Sequence, residues 1–134
     1  MFRSYNRIIL HIGAPIILGV IVYAMWRGIY LIDPAQNYFP ILDSPHPPGW
    51  VKYNLPDGLW FYALLTSLYF IWGKTYSRHF VSWLLLSIVM SLLLEVSQSY
   101  RFIQGTFDWN DLLAYVIAAI IFFINFYKQL YSKL

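Results

Sequence analysis

The sequence predicts an all-α integral membrane protein: a bundle of four transmembrane helices with both termini cytoplasmic and a long outer loop, rich in proline and aromatic residues, between helices one and two. Three observations lead there. Of 134 residues, 60% are hydrophobic and 11% are charged, whereas soluble domains carry about 25% charged residues. The apolar residues gather in blocks bounded by charges, which is the pattern of membrane spans and not of a mixed soluble core. The basic residues also favour one set of block ends. The length leaves room for a single domain, 1–134.

The first predicted span, 8–26, follows Arg3 and Arg7 and is closed by Arg27. It is longer than the apolar core of a signal peptide, and it ends in bulky Tyr23, Met25 and Trp26 rather than a small-residue cleavage site, so it is expected to stay as a helix. Pro15 should kink it, while Gly13, Ala14 and Gly19 offer small surfaces to a neighbouring helix. The outer loop, 27–57, contains six prolines together with Tyr38, Phe39, Trp50 and Tyr53. Proline opposes a regular helix, and aromatic side chains prefer the lipid–water interface. The loop therefore reads as a cap on the outer surface, either a lid over a pocket or a lipid-adsorbed linker. The remaining spans are expected at about 58–73, 80–98 and 111–127. Each is short of the ~20 residues of a typical crossing, so their polar ends should dip into the membrane or the local bilayer should thin.

Orientation follows from the positive-inside rule. With both termini inside, Arg3, Arg7, Lys74, Arg78, Lys128 and Lys133 lie on the cytoplasmic side, and Arg27, Lys52 and Arg101 lie outside. All six carboxylates, Asp33, Asp43, Asp57, Glu95, Asp108 and Asp111, then fall at or beyond the outer ends. Depth can be counted from the inner basic flank of each span. Asp57 lies seventeen residues before Lys74, Glu95 seventeen after Arg78, and Asp111 seventeen before Lys128. At a rise of ~1.5 Å per residue, each is roughly 25 Å from the inner flank, just short of the ~30 Å hydrocarbon thickness. The three belong to one layer below the outer surface.

Ionisable groups at that depth usually face a bundle interior or a wet cavity. Gln98 follows Glu95 by three residues, and Asp108, Asp111 and Tyr115 are spaced by three and four, so each set shares a helix face. A polar pocket between spans two, three and four is expected. Its candidate catalytic residues are Glu95, Asp111 and Asp57, and its candidate ligand-binding residues are Gln98, Arg101, Asp108 and Tyr115. Asp57 and Asp108 have a plainer role as helix starters, which accept unpaired backbone N–H groups. Glu95 sits toward the end of its helix, where the dipole opposes a negative charge, so that explanation does not cover it.

At these residues the chain resembles the VanZ-like family of small bacterial membrane proteins, named for a teicoplanin-resistance protein. The resemblance rests on Asp57 opening one span, on "EVSQ" with Glu95 and Gln98 near the end of the next, and on "GTFDWNDLLAY" with Asp111 leading into the last. It covers about 55–123. The chain departs from the family pattern where Phe61 stands in place of a common His, and where Tyr115 and Ala118 stand in place of Asn and Gly; the loop Arg is matched only if Arg101 substitutes from a different place. The resemblance implies a bacterial inner-membrane location and a role toward the cell envelope that affects glycopeptide resistance.

Several classes are disfavoured. The net charge of +3 is dispersed, with no basic run that could follow a phosphate backbone. The absence of cysteine removes disulfides, thiolate nucleophiles and zinc–thiolate sites. His11 and His79 are expected near the inner surface and His46 outside, so they do not form one metal site; His11 reads as an interfacial helix residue, and His46 with Asp43 is a minor alternative partner for the outer acids. No nucleophile elbow, phosphate loop or dinucleotide fingerprint is present. Chemistry, if any, would rest on carboxylates as acid and base or as ligands of a divalent ion; no cofactor is called for. The expected partner is a membrane lipid or a lipid-linked or cell-wall precursor, with self-association or a membrane partner protein left open. The alternative is a non-catalytic accessory subunit whose polar groups fix helix packing.

Overall fold

The computed structural model describes residues 2–26, 47–72, 77–100 and 107–131. Every regular element among them is helical: α1 (Phe2–Ile8), a π-helical turn (Ile9–Gly13), α2 (Ala14–Trp26), α3 (Gly49–Tyr53), α4 (Leu55–Trp72), α5 (Arg78–Ser99) and α6 (Trp109–Tyr131). Three stretches, Tyr5–Trp26, Arg78–Ser99 and Trp109–Phe126, are long and apolar enough to cross a membrane.

α1, the π turn and α2 follow one another without a break. Pro15 explains the π turn. Proline has no N–H to continue the i−4 ladder and its ring crowds the preceding carbonyls, and the ladder widens just upstream, where the Ala14 N–H donates to the Ile9 carbonyl. The irregularity expected at Pro15 thus takes the form of a π turn.

α4 is the centre of the molecule. It packs most extensively on α6 and on α2, and its Leu65 and Thr66 are fully buried. Gly19 of α2 lies against the Trp60 indole, which would overlap a Cβ at that position. On the opposite side Gly58 faces Ala114 of α6, whose Cβ would stand 3.3 Å from one built on Gly58. Small residues therefore set both close approaches. Farther along, Phe61, Tyr62, Leu65 and Tyr69 of α4 form one core with Phe80 and Leu84 of α5 and Ala118, Phe122 and Phe126 of α6. Tyr69 and Phe126 stack at 4.5 Å. α4 itself is not among the three stretches apolar enough to cross on composition. It carries Pro56, Asp57, Thr66 and Ser67 and the hydroxyls of Tyr62 and Tyr69, and a helix whose surface is turned to other helices does not need a lipid-like exterior.

The outer faces are apolar. Ile16, Ile17 and Leu18 on α2, Leu85, Leu86 and Leu93 on α5, and Val116, Ile120 and Ile124 on α6 are all exposed, an arrangement suited to hydrocarbon and not to water. Serine hydroxyls on these helices are consumed locally: Ser87, Ser91 and Ser97 donate to the carbonyls of Trp83, Ser87 and Leu93 at 2.9, 2.9 and 2.6 Å.

The helices run a few residues beyond the predicted spans, and the outer loop departs further from its reading. Part of the outer loop is helical, since α3 occupies Gly49–Tyr53 and α4 begins at Leu55. Proline permits this because of where it falls. Pro48 precedes α3 and Pro56 lies in the first turn of α4, positions whose N–H groups have no intrahelical partner to lose. The rest of the predicted cap, 27–46, lies outside the described residues.

Candidate functional site

Three helix ends meet at one place: the start of α4, the end of α5 and the start of α6. α6 is opened by Asp108. Its Oδ1 accepts the backbone N–H and the side-chain amide of Asn110, both at 2.9 Å, and its carbonyl accepts the Asp111 N–H at 3.1 Å. This is a capping arrangement, in which the carboxylate satisfies donors left over by the first turn. α4 is opened in a related way by Asn54, whose carbonyl accepts the Gly58 N–H at 3.1 Å.

The two starts are tied together through the Asn54 side chain. Its Nδ2 donates to Asp108 Oδ2 at 3.1 Å and to Asp111 Oδ1 at 2.6 Å. Only the nitrogen of the amide can face two carboxylate oxygens. α5 joins through Glu95, which is 4% exposed and whose Oε1 accepts the Asp108 backbone N–H at 3.0 Å. Glu95 thus holds the end of α5 to the residue that opens α6, and a buried carboxylate gains a donor in the process.

Asp57, in the first turn of α4, is half-buried. The Tyr115 ring of α6 rests on Phe61 of α4 at 5.0 Å. Hydrogen bonds thus join Glu95, Asp108 and Asp111 through the Asp108 backbone and Asn54, while Asp57 lies in the first turn of α4 and Tyr115 one turn after Asp111 on α6. Gln98 lies one turn beyond Glu95 and is half-buried; among the described residues no hydrogen bond joins its side chain to the carboxylates. Arg101 lies outside the described residues, as do Asp43 and His46. Among the described residues there is no group of three His, Asp or Glu side chains placed to hold a metal ion.

Asp108 stands just outside the span that begins at Trp109. Hydrogen bonds from the Asn110 backbone, then from the Asn54 amide, hold its carboxyl below the ordinary aspartate range, because each stabilises the ionised form.

The open space lies elsewhere. The carboxylates are knitted together, whereas a cavity of about 650 Å³ runs along the other side of α4 and α6, toward the N-terminal helix. It is lined mainly by aliphatic residues, with Asn54 and Asn110 among its polar contributors. The expected single polar pocket is thus two features, a hydrogen-bonded acid cluster and an adjoining apolar cavity, which share Asn54 and Asn110.

The sequence reading missed a second polar group. His11 is half-buried, with Nδ1 2.6 Å from the Tyr62 hydroxyl, and Asn125 Nδ2 donates to that hydroxyl at 3.2 Å. If Asn125 donates, the hydroxyl hydrogen is left for His11 Nδ1, and the arrangement that satisfies all three places the imidazole proton on Nε2. His11 therefore makes an interhelical contact, which its sequence position did not reveal. Asn54 and Asn125 were both legible in principle: Asn54 precedes "LPD" at a helix start, and Asn125 is an amide inside the apolar run "IIFFINFY".

No family model, no curated protein and no solved structure matches this chain.

Proposed function

We propose that this chain is a four-span, VanZ-like protein of the bacterial inner membrane, with both termini cytoplasmic, and that its outward-facing acid cluster binds or processes a lipid-linked or cell-wall component of the envelope. The carrying observation is the hydrogen-bonded convergence of Glu95, Asp108 and Asp111 with Asn54 where three helix ends meet. Carboxylates set in apolar helices are costly, and in membrane proteins such groups mark substrate or ion sites. α4 as the fourth span is supported by its 18 residues enclosed by helices that are themselves apolar enough to cross. The inside position of the termini is supported by the bias of basic residues.

A second reading is favoured by the bonding itself. Glu95, Asp108 and Asp111 all accept hydrogen bonds from within the protein, as they would in an accessory subunit whose polar cluster only fixes helix packing. Glu95→Gln and Asp111→Asn separate the two. Under the proposal, each variant expresses and melts normally yet loses the protection that the parent gives an expressing strain against teicoplanin. Loss of the folded protein in both variants would favour the packing role. Because the chain has no cysteine, single-cysteine variants at Tyr5 and Trp109 also test the topology, with labelling expected from the cytoplasmic and outer sides respectively.

A further inference from the structure

The cavity beside the acid cluster is lined by none of the carboxylates, and its shape and lining suit a different portion of a ligand. Its polar contributors near the start of α6 are Asn54 and Asn110. From there it follows α6 past Leu113 and Ile117 to Ile121, eleven residues on, or roughly 16 Å at the rise of an α-helix. Its volume, about 650 Å³, lies within the ~300–1,000 Å³ range of small-molecule sites. Two of its walls come from helices apolar enough to cross a membrane, so hydrocarbon chains are the surrounding solvent.

We propose that this cavity holds one acyl or isoprenoid chain of a lipid whose headgroup carries amine or hydroxyl donors and lies at Asn54 and Asn110. The inference rests on the envelope-lipid reading above and supplies the class of ligand. A chain leaving the bilayer for an apolar cavity gains little from burial, since lipid tails are already apolar. Selectivity therefore comes from the polar end. There Asn54 and Asn110 both donate to Asp108, and Asn54 also donates to Asp111, so the nearest fixed charges are negative. A donor-bearing head is attracted to that end, and a bare phosphate is repelled by it. Asn54 would touch the ligand with one side of its amide and the carboxylates with the other.

The test is photo-crosslinking of the purified full chain in vesicles that contain a lipid with a diazirine in its acyl chain, in two forms, one with an ethanolamine head and one with a bare phosphate head. Adduct positions are read by peptide mass spectrometry. Expected are adducts concentrated at Leu113, Ile117 and Ile121, with the ethanolamine form exceeding the phosphate form by about tenfold. Ile117→Trp fills the cavity and should reduce these adducts by about tenfold, while Val116→Trp, exposed at the same depth on α6 but outside the cavity lining, leaves them unchanged. Leu113→Trp is the second filling variant should Ile117→Trp fail to fold. Adducts spread evenly over all lipid-facing residues, including Leu86 and Leu93 of α5, would overturn the proposal, as would equal labelling by the two heads or indifference to both filling variants. The outcome is independent of the Glu95 and Asp111 tests. Cavity labelling with unaltered teicoplanin protection in those variants removes the envelope role and keeps the lipid site, and the converse keeps the role and removes the site.

Discussion

Asn54, at the start of α4, reaches Asp111 in the first turn of α6 with a 2.6 Å hydrogen bond across 57 residues of sequence. The same nitrogen also bonds Asp108, so one neutral amide separates two carboxylates that would otherwise repel each other.

Replacing that amide should therefore cost more than one ordinary hydrogen bond. Asn54→Leu removes the donor from two acids and is expected to destabilise by about 1–3 kcal/mol, the usual range when buried polar partners are stranded. Asn54→Asp should be worse than Leu at neutral pH and should recover as the pH falls, because it adds a like charge that protonation removes. Thermal unfolding in detergent at two pH values measures both. Equal stability of Asn54→Asp at the two values would contradict the bridging role.

The acid limb of the parent's stability has a defined sign. Asp108 is held below its ordinary value near 3.8 by the Asn110 backbone N–H and the Asn54 amide. A depressed folded-state pKa gives stability that is fully present above the unfolded value and is lost as pH falls through the folded one. The parent should thus lose stability as pH drops below about 3.8 through this group, and Asp108→Asn should flatten that part of the curve. Denaturant titrations across the window, compared for the two proteins, check it.

How much of this could be read without coordinates depends on what kind of signal was involved. The helices were legible because length, flanking charge and rise per residue are properties of one segment at a time. The cluster's internal bonding was not. Asn54 looks like a loop residue until α4 is placed beside α6, and Glu95 looks like a free acid until the Asp108 N–H is found at 3.0 Å. The cavity was illegible for a similar reason: aliphatic residues on α6 look alike whether they face lipid or a groove. Proline misled over 49–57, where its position within the first turn mattered more than its presence.

Helix packing makes a sharper contrast between two glycines of the N-terminal segment. At Gly19 an added Cβ would run into the Trp60 indole, whereas at Gly13 nothing stands within 4 Å. Gly19→Ala is expected to cost about 1–3 kcal/mol through overpacking and to loosen α2 from α4. Gly13→Ala should be neutral or stabilising by up to ~1 kcal/mol, the helix-propensity difference between the residues. Melting temperatures of the two variants, side by side, give the comparison, and similar losses in both would argue against the Gly19–Trp60 contact.

Tyr62 offers the corresponding test for the second polar group. Its hydroxyl is the one atom that links His11 on the N-terminal helix, α4, and Asn125 on α6. Interhelical hydrogen bonds within membranes average only ~0.6 kcal/mol each, so Tyr62→Phe, which keeps the ring and its packing, should cost about 1 kcal/mol for the two together. His11→Phe, which removes one bond and leaves the other, should cost less. A double variant, Tyr62→Phe with His11→Phe, should then be no less stable than Tyr62→Phe alone, because the shared bond has already gone. Strict additivity of the two losses would mean that the residues do not act through one another, and that the N-terminal helix is held to α4 by contacts such as those of Trp60 with Gly19 and the Ile16 carbonyl and not by the Tyr62 hydroxyl.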